Sequence, residues 1–136
     1  MNRLPFLGLL FALLCLVACR QMNEAHLLHL AEKQVNMNVD SVYALLVQIE
    51  RPSQLSYQLK AWYWYWLKEH ERCIAAIDSG VALAKALQDT GRMADMLIDK
   101  AYWYVYVWKD YEKAIETFRT AIALDARAGS FFSMGI

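Results

Sequence analysis

The sequence predicts an all-α fold of about three antiparallel helix pairs, on three observations. Apolar residues recur at i, i+3, i+4 and i+7 from about residue 23 onward. Alternation of period two is absent, and so are the Asn-Gly and Asp-Gly pairs that mark tight hairpins. Paired helical segments return about every 35 to 40 residues, the spacing of a stacked helical array. With 136 residues there is room for one domain.

The first element is a leader. Residues 1–18 carry a single cation, Arg3, then an uncharged apolar run over 4–17 that closes on Leu16-Val17-Ala18-Cys19. That run is shorter than the roughly 20 residues a membrane-spanning helix needs. It ends in small residues, as a cleavable signal does. Its last four residues resemble the lipobox of bacterial lipoproteins. The resemblance implies cleavage before Cys19, a covalent lipid on that residue as the one prosthetic group, and a membrane anchor. Residues 19–22 would then be a lipidated N-terminus and a short tether. Arg20 stands where an aspartate marks inner-membrane retention in some bacteria, so the resemblance implies the outer membrane, facing the periplasm.

The chain has 3 cysteines. Cys15 would leave with the leader and Cys19 would carry lipid, which leaves Cys73 as a small core residue with no disulfide partner. Formal charge is balanced, with 14 basic and 14 acidic residues, and losing Arg3 leaves it near −1. No basic stripe stands out, which argues against nucleic acid as a partner.

The helices follow in order through residues 23–125. A first helix near Asn23 carries Leu27, Leu30, Ala31 and Val35, and 36–38 breaks it. Asp40 is expected to cap a second helix, with Val42, Leu45, Leu46 and Ile49 on one face, and Pro52 to stop it. A third starts at Ser53 and runs through Leu59, Ala61 and the aromatic block 62–66 to a turn near His70. A fourth carries Cys73, Ile74, Ile77, Val81 and Ala84 and is expected to end at Gly91. A fifth spans 96–108, with Ala101 where the third has Ala61, and turns at Lys109-Asp110. The sixth carries Tyr111, Ala114, Ile115, Phe118, Ala121, Ile122 and Leu124.

Asp110-Tyr111-Glu112-Lys113-Ala114-Ile115, then Phe118, Ala121, Leu124 and Asp125, resembles the second helix of a tetratricopeptide repeat, and the chain as a whole is similar to the bacterial lipoproteins of that family. The resemblance implies a right-handed superhelix, with Ala61, Ala101, Ala114, Phe118 and Ala121 packing repeat on repeat. It departs from the family at Ala126, where a proline is usual, and at Tyr102, where a glycine is usual.

In that family the first helix of each pair lines a concave groove. The groove expected here is Trp62, Tyr65, Trp66, Asp99, Trp103 and Tyr106, with Met96 and Gln58 beside them. Five consecutive aromatics cover every face of a helix, so part of them must serve as core. The implied function is binding of a protein or peptide partner by a lipid-anchored scaffold. The alternatives are a glycan-binding lipoprotein of a nutrient-uptake system and a truncated remnant of a longer signalling protein.

No metal site is expected. His26 and His29 are three apart near Glu32, which makes an incomplete ligand set. No nucleophile stands beside a base, and Gly80 and Gly91 form no phosphate loop, so catalysis is not expected. Residues 126–136, with Phe131, Phe132, Met134 and Ile136, read as a tail or the start of a shortened next helix. Its apolar residues leave the last pair without a polar cap and open to self-association.

Overall fold

The computed structural model describes residues 4–34 and 38–125. Most of these residues are helical, joined by short turns, with no strand among them. The order is α1 (Leu4–Gln34), α2 (Val39–Leu46), α3 (Gln54–Trp66), α4 (His70–Ala86), α5 (Thr90–Trp103) and α6 (Tyr111–Leu124), with a π-helical segment, Tyr104–Trp108, between the last two. The chain forms two compact units, Met1–Glu50 and Arg51–Ile136. Their boundary falls inside the span that the sequence pattern reads as one domain.

In the first unit α1 runs unbroken through the expected cleavage point, so residues 19–22 are helical with the leader attached. Nothing in Arg20-Gln21-Met22-Asn23 resists helix, and there is no Gly or Pro to stop it. The stretch Gly8–Gln34 is long and apolar enough to cross a membrane, with mean hydropathy 1.3 in its most apolar window. Leu9, Phe11 and Leu16 on it are exposed. A signal sequence passes the same test. Further along, α1 packs on α2, and Leu27, Ala31, Val42 and Leu46 are buried.

Two expected boundaries of α2 are corrected. Its cap is Asn38, whose side-chain oxygen accepts from the Ser41 amide at 3.2 Å, while Asp40 sits inside the first turn near the positive helix end. The helix ends at Leu46, before Ile49. Val35 and the break at 36 and 37 lie outside the described residues, as do 126–136.

The second unit is two helical hairpins. Helix α3 packs on α4, α4 on α5, and α5 on α6. A capping box opens α3: Ser53 Oγ accepts from the Ser56 amide at 3.1 Å, and Ser56 Oγ accepts from the Ser53 amide at 2.8 Å. Asp89 and Asp110 cap α5 and α6 by accepting from the Arg92 and Lys113 amides.

Helices α3 and α4 end without glycine. Lys68 and Gln88 take the left-handed conformation, with φ of 61° and 56°. The amides after them then reach back to the last turn, Glu69 to the Trp64 carbonyl and Asp89 to the Ala84 carbonyl, both at 2.9 Å. The stop expected at Gly91 is therefore wrong: α4 ends at Ala86, and Gly91 is the second residue of α5. Lys109 does the same after Trp108 at φ 56°, but here the Asp110 amide reaches the Tyr104 carbonyl, one residue further back. That extra residue is the π segment.

The core lies between α3, α4 and α5. Ala61, Cys73, Ile77, Ala84, Met96 and Trp103 form one buried cluster, with Trp62, Tyr65, Ile74, Val81 and Val107 against it. Ala101, Ala114 and Phe118 form another between α5 and α6, and Ala94 with Ala121 a third. Small residues at these crossings let backbones approach closely. The tightest is Gly80 of α4: a Cβ there would stand 2.6 Å from Met96 Sδ and 3.0 Å from Tyr57 Cβ.

Candidate functional site

The site is built from one face of α3 and one face of α5. On α5, Asp95, Ile98, Asp99 and Tyr102 stand at i, i+3, i+4 and i+7, so they share a stripe. With Gln58 from α3 they line a cleft of about 410 Å³.

Asp99 organises it. Its Oδ2 accepts from Gln58 Nε2 at 2.7 Å and from Trp62 Nε1 at 3.1 Å, tying α5 to a helix about 40 residues earlier in the chain. Gln58 Oε1 in turn accepts from Arg92 Nη1 at 3.3 Å. Each donor to Asp99 is neutral. The second carboxylate oxygen, Oδ1, accepts no hydrogen bond from the described residues. Burial pushes the Asp99 carboxyl up to about 6, against the pull of the Gln58 and Trp62 hydrogen bonds, and the nearby charge of Asp95 adds to the rise. The Cys73 thiol is pushed up to about 12, first by burial and then by the charge on Asp99.

The structure sorts the expected groove residues into separate surroundings. Trp62 and Asp99 are hydrogen-bonded to one another at the cleft. Trp103 is a correction: it is 1% exposed and belongs to the core, so it is out of reach of a ligand. Its ring stacks on Tyr65 at 5.7 Å and meets Trp62 edge-on at 5.5 Å. It shares a buried cluster with the smaller side chains of Ala61 on α3 and Cys73, Ile77 and Ala84 on α4, and its ring is the largest member filling that space. Met96, expected beside the groove, is buried in the same cluster. Trp66 and Tyr106 are exposed and line a second cleft, of about 340 Å³, with Tyr65, Lys68, His70 and Val107. Ala61, Ala101, Ala114, Phe118 and Ala121 are all buried.

His70 is the first residue of α4, and its ring meets Trp108 edge-on at 5.6 Å. Its Nδ1 is buried with no hydrogen-bond partner among the described residues. His26 and His29 are exposed on α1, and no group of three metal-ligating side chains gathers among the described residues. Cys19 is exposed on α1.

Sequence reasoning missed Asp95, Ile98, Tyr102 and Arg92. The stripe at helical spacing on α5 was the available signal, a polar version of the pattern that marks a core face. Tyr102, which stands where the resembled family has a glycine, packs edge-on against Phe118 of α6 at 5.3 Å and stacks along Tyr106 at 6.1 Å.

Compared with protein-family models, with curated proteins and with solved structures, the chain matches none of them.

Proposed function

We propose that the chain is a lipid-anchored scaffold of the tetratricopeptide type that holds a peptide or protein segment in the cleft between α3 and α5. In this reading Cys19 carries the acyl chains and the leader before it is removed. Helices α3 to α6 belong to a right-handed superhelix whose first helices line the concave side. Arg20 after Cys19 favours the outer membrane, with the domain facing the periplasm.

The observation that carries the reading is the cleft itself. Its polar groups are fixed before any ligand arrives, because Asp99 is held by Gln58 and Trp62 and Gln58 is held by Arg92. Such preorganisation lowers the entropy lost on binding. Tyr102 and Ile98 supply the apolar wall that a peptide side chain needs. The same mixture of carboxylate, amide and aromatic groups also suits sugar hydroxyls, which keeps the glycan alternative as the second reading.

Two measurements test it. Metabolic labelling with palmitate is expected to mark the wild-type chain and not Cys19→Ser; equal labelling removes the anchor. A photo-crosslinking residue at Tyr102 is expected to give a discrete protein adduct in cells that the same residue at Lys85, exposed on α4, does not give. Identical adducts at both positions, or none at Tyr102, remove the groove.

A further inference from the structure

The Asp99 carboxylate is incompletely compensated. Among the described residues no cation meets it. Helix α3 offers the neutral donors Gln58 and Trp62. Helix α4 offers the Cys73 thiol, which its raised pKa keeps protonated. Helix α5 offers Asp95, a second negative charge, and Arg92, whose guanidinium is given to Gln58 Oε1. Lys100, next along the chain, is paired with Asp78 at 2.6 Å. Oδ1 is not among the buried side-chain atoms that lack a partner, so it is open to solvent and free to accept a charge-assisted hydrogen bond, about twice as strong as one between neutral groups.

The missing partner has a defined shape. Asp99 lines the cleft together with Gln58, Asp95, Ile98 and Tyr102. A ligand that fills it needs a cationic donor at its tip and an apolar stem behind. Long basic side chains are built this way, and an aromatic ring beside the charge adds to the attraction. An anion would meet two carboxylates. A sugar would satisfy Oδ1 but leave the charge uncompensated.

We propose that the cleft is a subsite for one basic side chain, arginine or lysine, of the bound peptide, with Asp99 Oδ1 as its acceptor. The proposal rests on the peptide-groove reading above and narrows it. It carries a linkage: a cation at Asp99 favours the ionised carboxylate, so binding releases a proton when pH lies near the carboxyl's own range of about 6.

The test uses the full chain in zwitterionic detergent micelles, with the indole N–H signal of Trp62, identified by its loss in Trp62→Phe, as the reporter. Nα-acetyl-arginine amide is expected to shift that signal saturably and to move its pH midpoint from about 6 to lower pH. The neutral isostere Nα-acetyl-citrulline amide, at matched ionic strength, is expected to do neither. Asp99→Asn should weaken arginine binding by about tenfold or more. Asp95→Asn, an exposed change that leaves the hydrogen-bonded set intact, should weaken it less and lower the midpoint in the absence of ligand.

Equal responses to arginine and citrulline, a response to oligosaccharide alone, or unchanged affinity in both aspartate variants would overturn the proposal. A silent Trp62 signal alongside intact crosslinking at Tyr102 sinks the basic subsite and leaves the peptide groove standing. Loss of the crosslinks while arginine still binds sinks the groove and leaves the subsite.

Discussion

Asp99 is destabilising in the folded state while it is ionised, and its effect on stability has a definite sign. In the unfolded chain its carboxyl ionises near the ordinary aspartate range, and in the folded chain near pH 6. Between those values the folded state holds the extra proton. Stability therefore falls as pH rises through the window and stays lower above it. Asp99→Asn, which can still accept from Gln58 and Trp62, is expected to stabilise the protein by about 1–3 kcal/mol at pH 7.5 and by almost nothing at pH 4. Thermal melts at the two pH values check this. A variant less stable than wild type at pH 7.5 would show that the ionised carboxylate is a structural asset. A second prediction at this scale concerns the left-handed turn at Gln88. A side chain there costs about 1 kcal/mol that glycine does not. Gln88→Gly should raise stability by about 0.5–1 kcal/mol, and a lower melting temperature would contradict the turn geometry.

The helices are shaped by what they must pass. Gly80 lets α4 lie against Met96 of α5 and Tyr57 of α3. Gly80→Val puts two methyl groups where a single Cβ already collides, so it should cost about 1–3 kcal/mol or more in a denaturant titration. An unchanged midpoint would mean that α3, α4 and α5 meet less tightly than described. The α5–α6 crossing gives the matching test. Ala114 is 2% exposed beside Ala101 and Phe118, and Ala114→Trp should destabilise by about 1–3 kcal/mol or more. The π segment is the other local device. Tyr104, Val105, Tyr106, Val107 and Trp108 are five bulky residues in a row, and their wider turn sends Val107 to the core and Trp108 against His70 while Tyr106 stays exposed.

Across the whole molecule, Cys73 reports on cooperative opening of the second unit. Its thiol is fully buried and is pushed up to about 12, so it is inert while the helices stay packed. In a Cys15→Ser, Cys19→Ser background, maleimide labelling of Cys73 should be slow in buffer and should accelerate only through the denaturant transition. Fast labelling in buffer would mean that α4 opens locally, without global unfolding.

What the sequence determined by itself were the helices and their apolar faces, because both depend on neighbours three or four residues away. Leu59, Ala61, Cys73, Ile77, Ala84, Ala114, Phe118 and Ala121 could be assigned to the interior that way, and Ser53 and the Lys109-Asp110 turn could be read as points where helices begin. Tertiary structure decided which ring of an all-round aromatic block went inside. Trp103 is enclosed and Trp66 is half exposed, although both lie in similar runs. It also decided how helices stop without glycine, since packing holds Lys68, Gln88 and Lys109 in a conformation their side chains disfavour. The Asp99 cleft belongs to the same class. Gln58 and Trp62 lie 41 and 37 residues before it, and no local rule brings them together. A helix face is encoded by spacing along one strand of sequence, whereas a site between helices exists only once burial elsewhere has brought the two faces side by side.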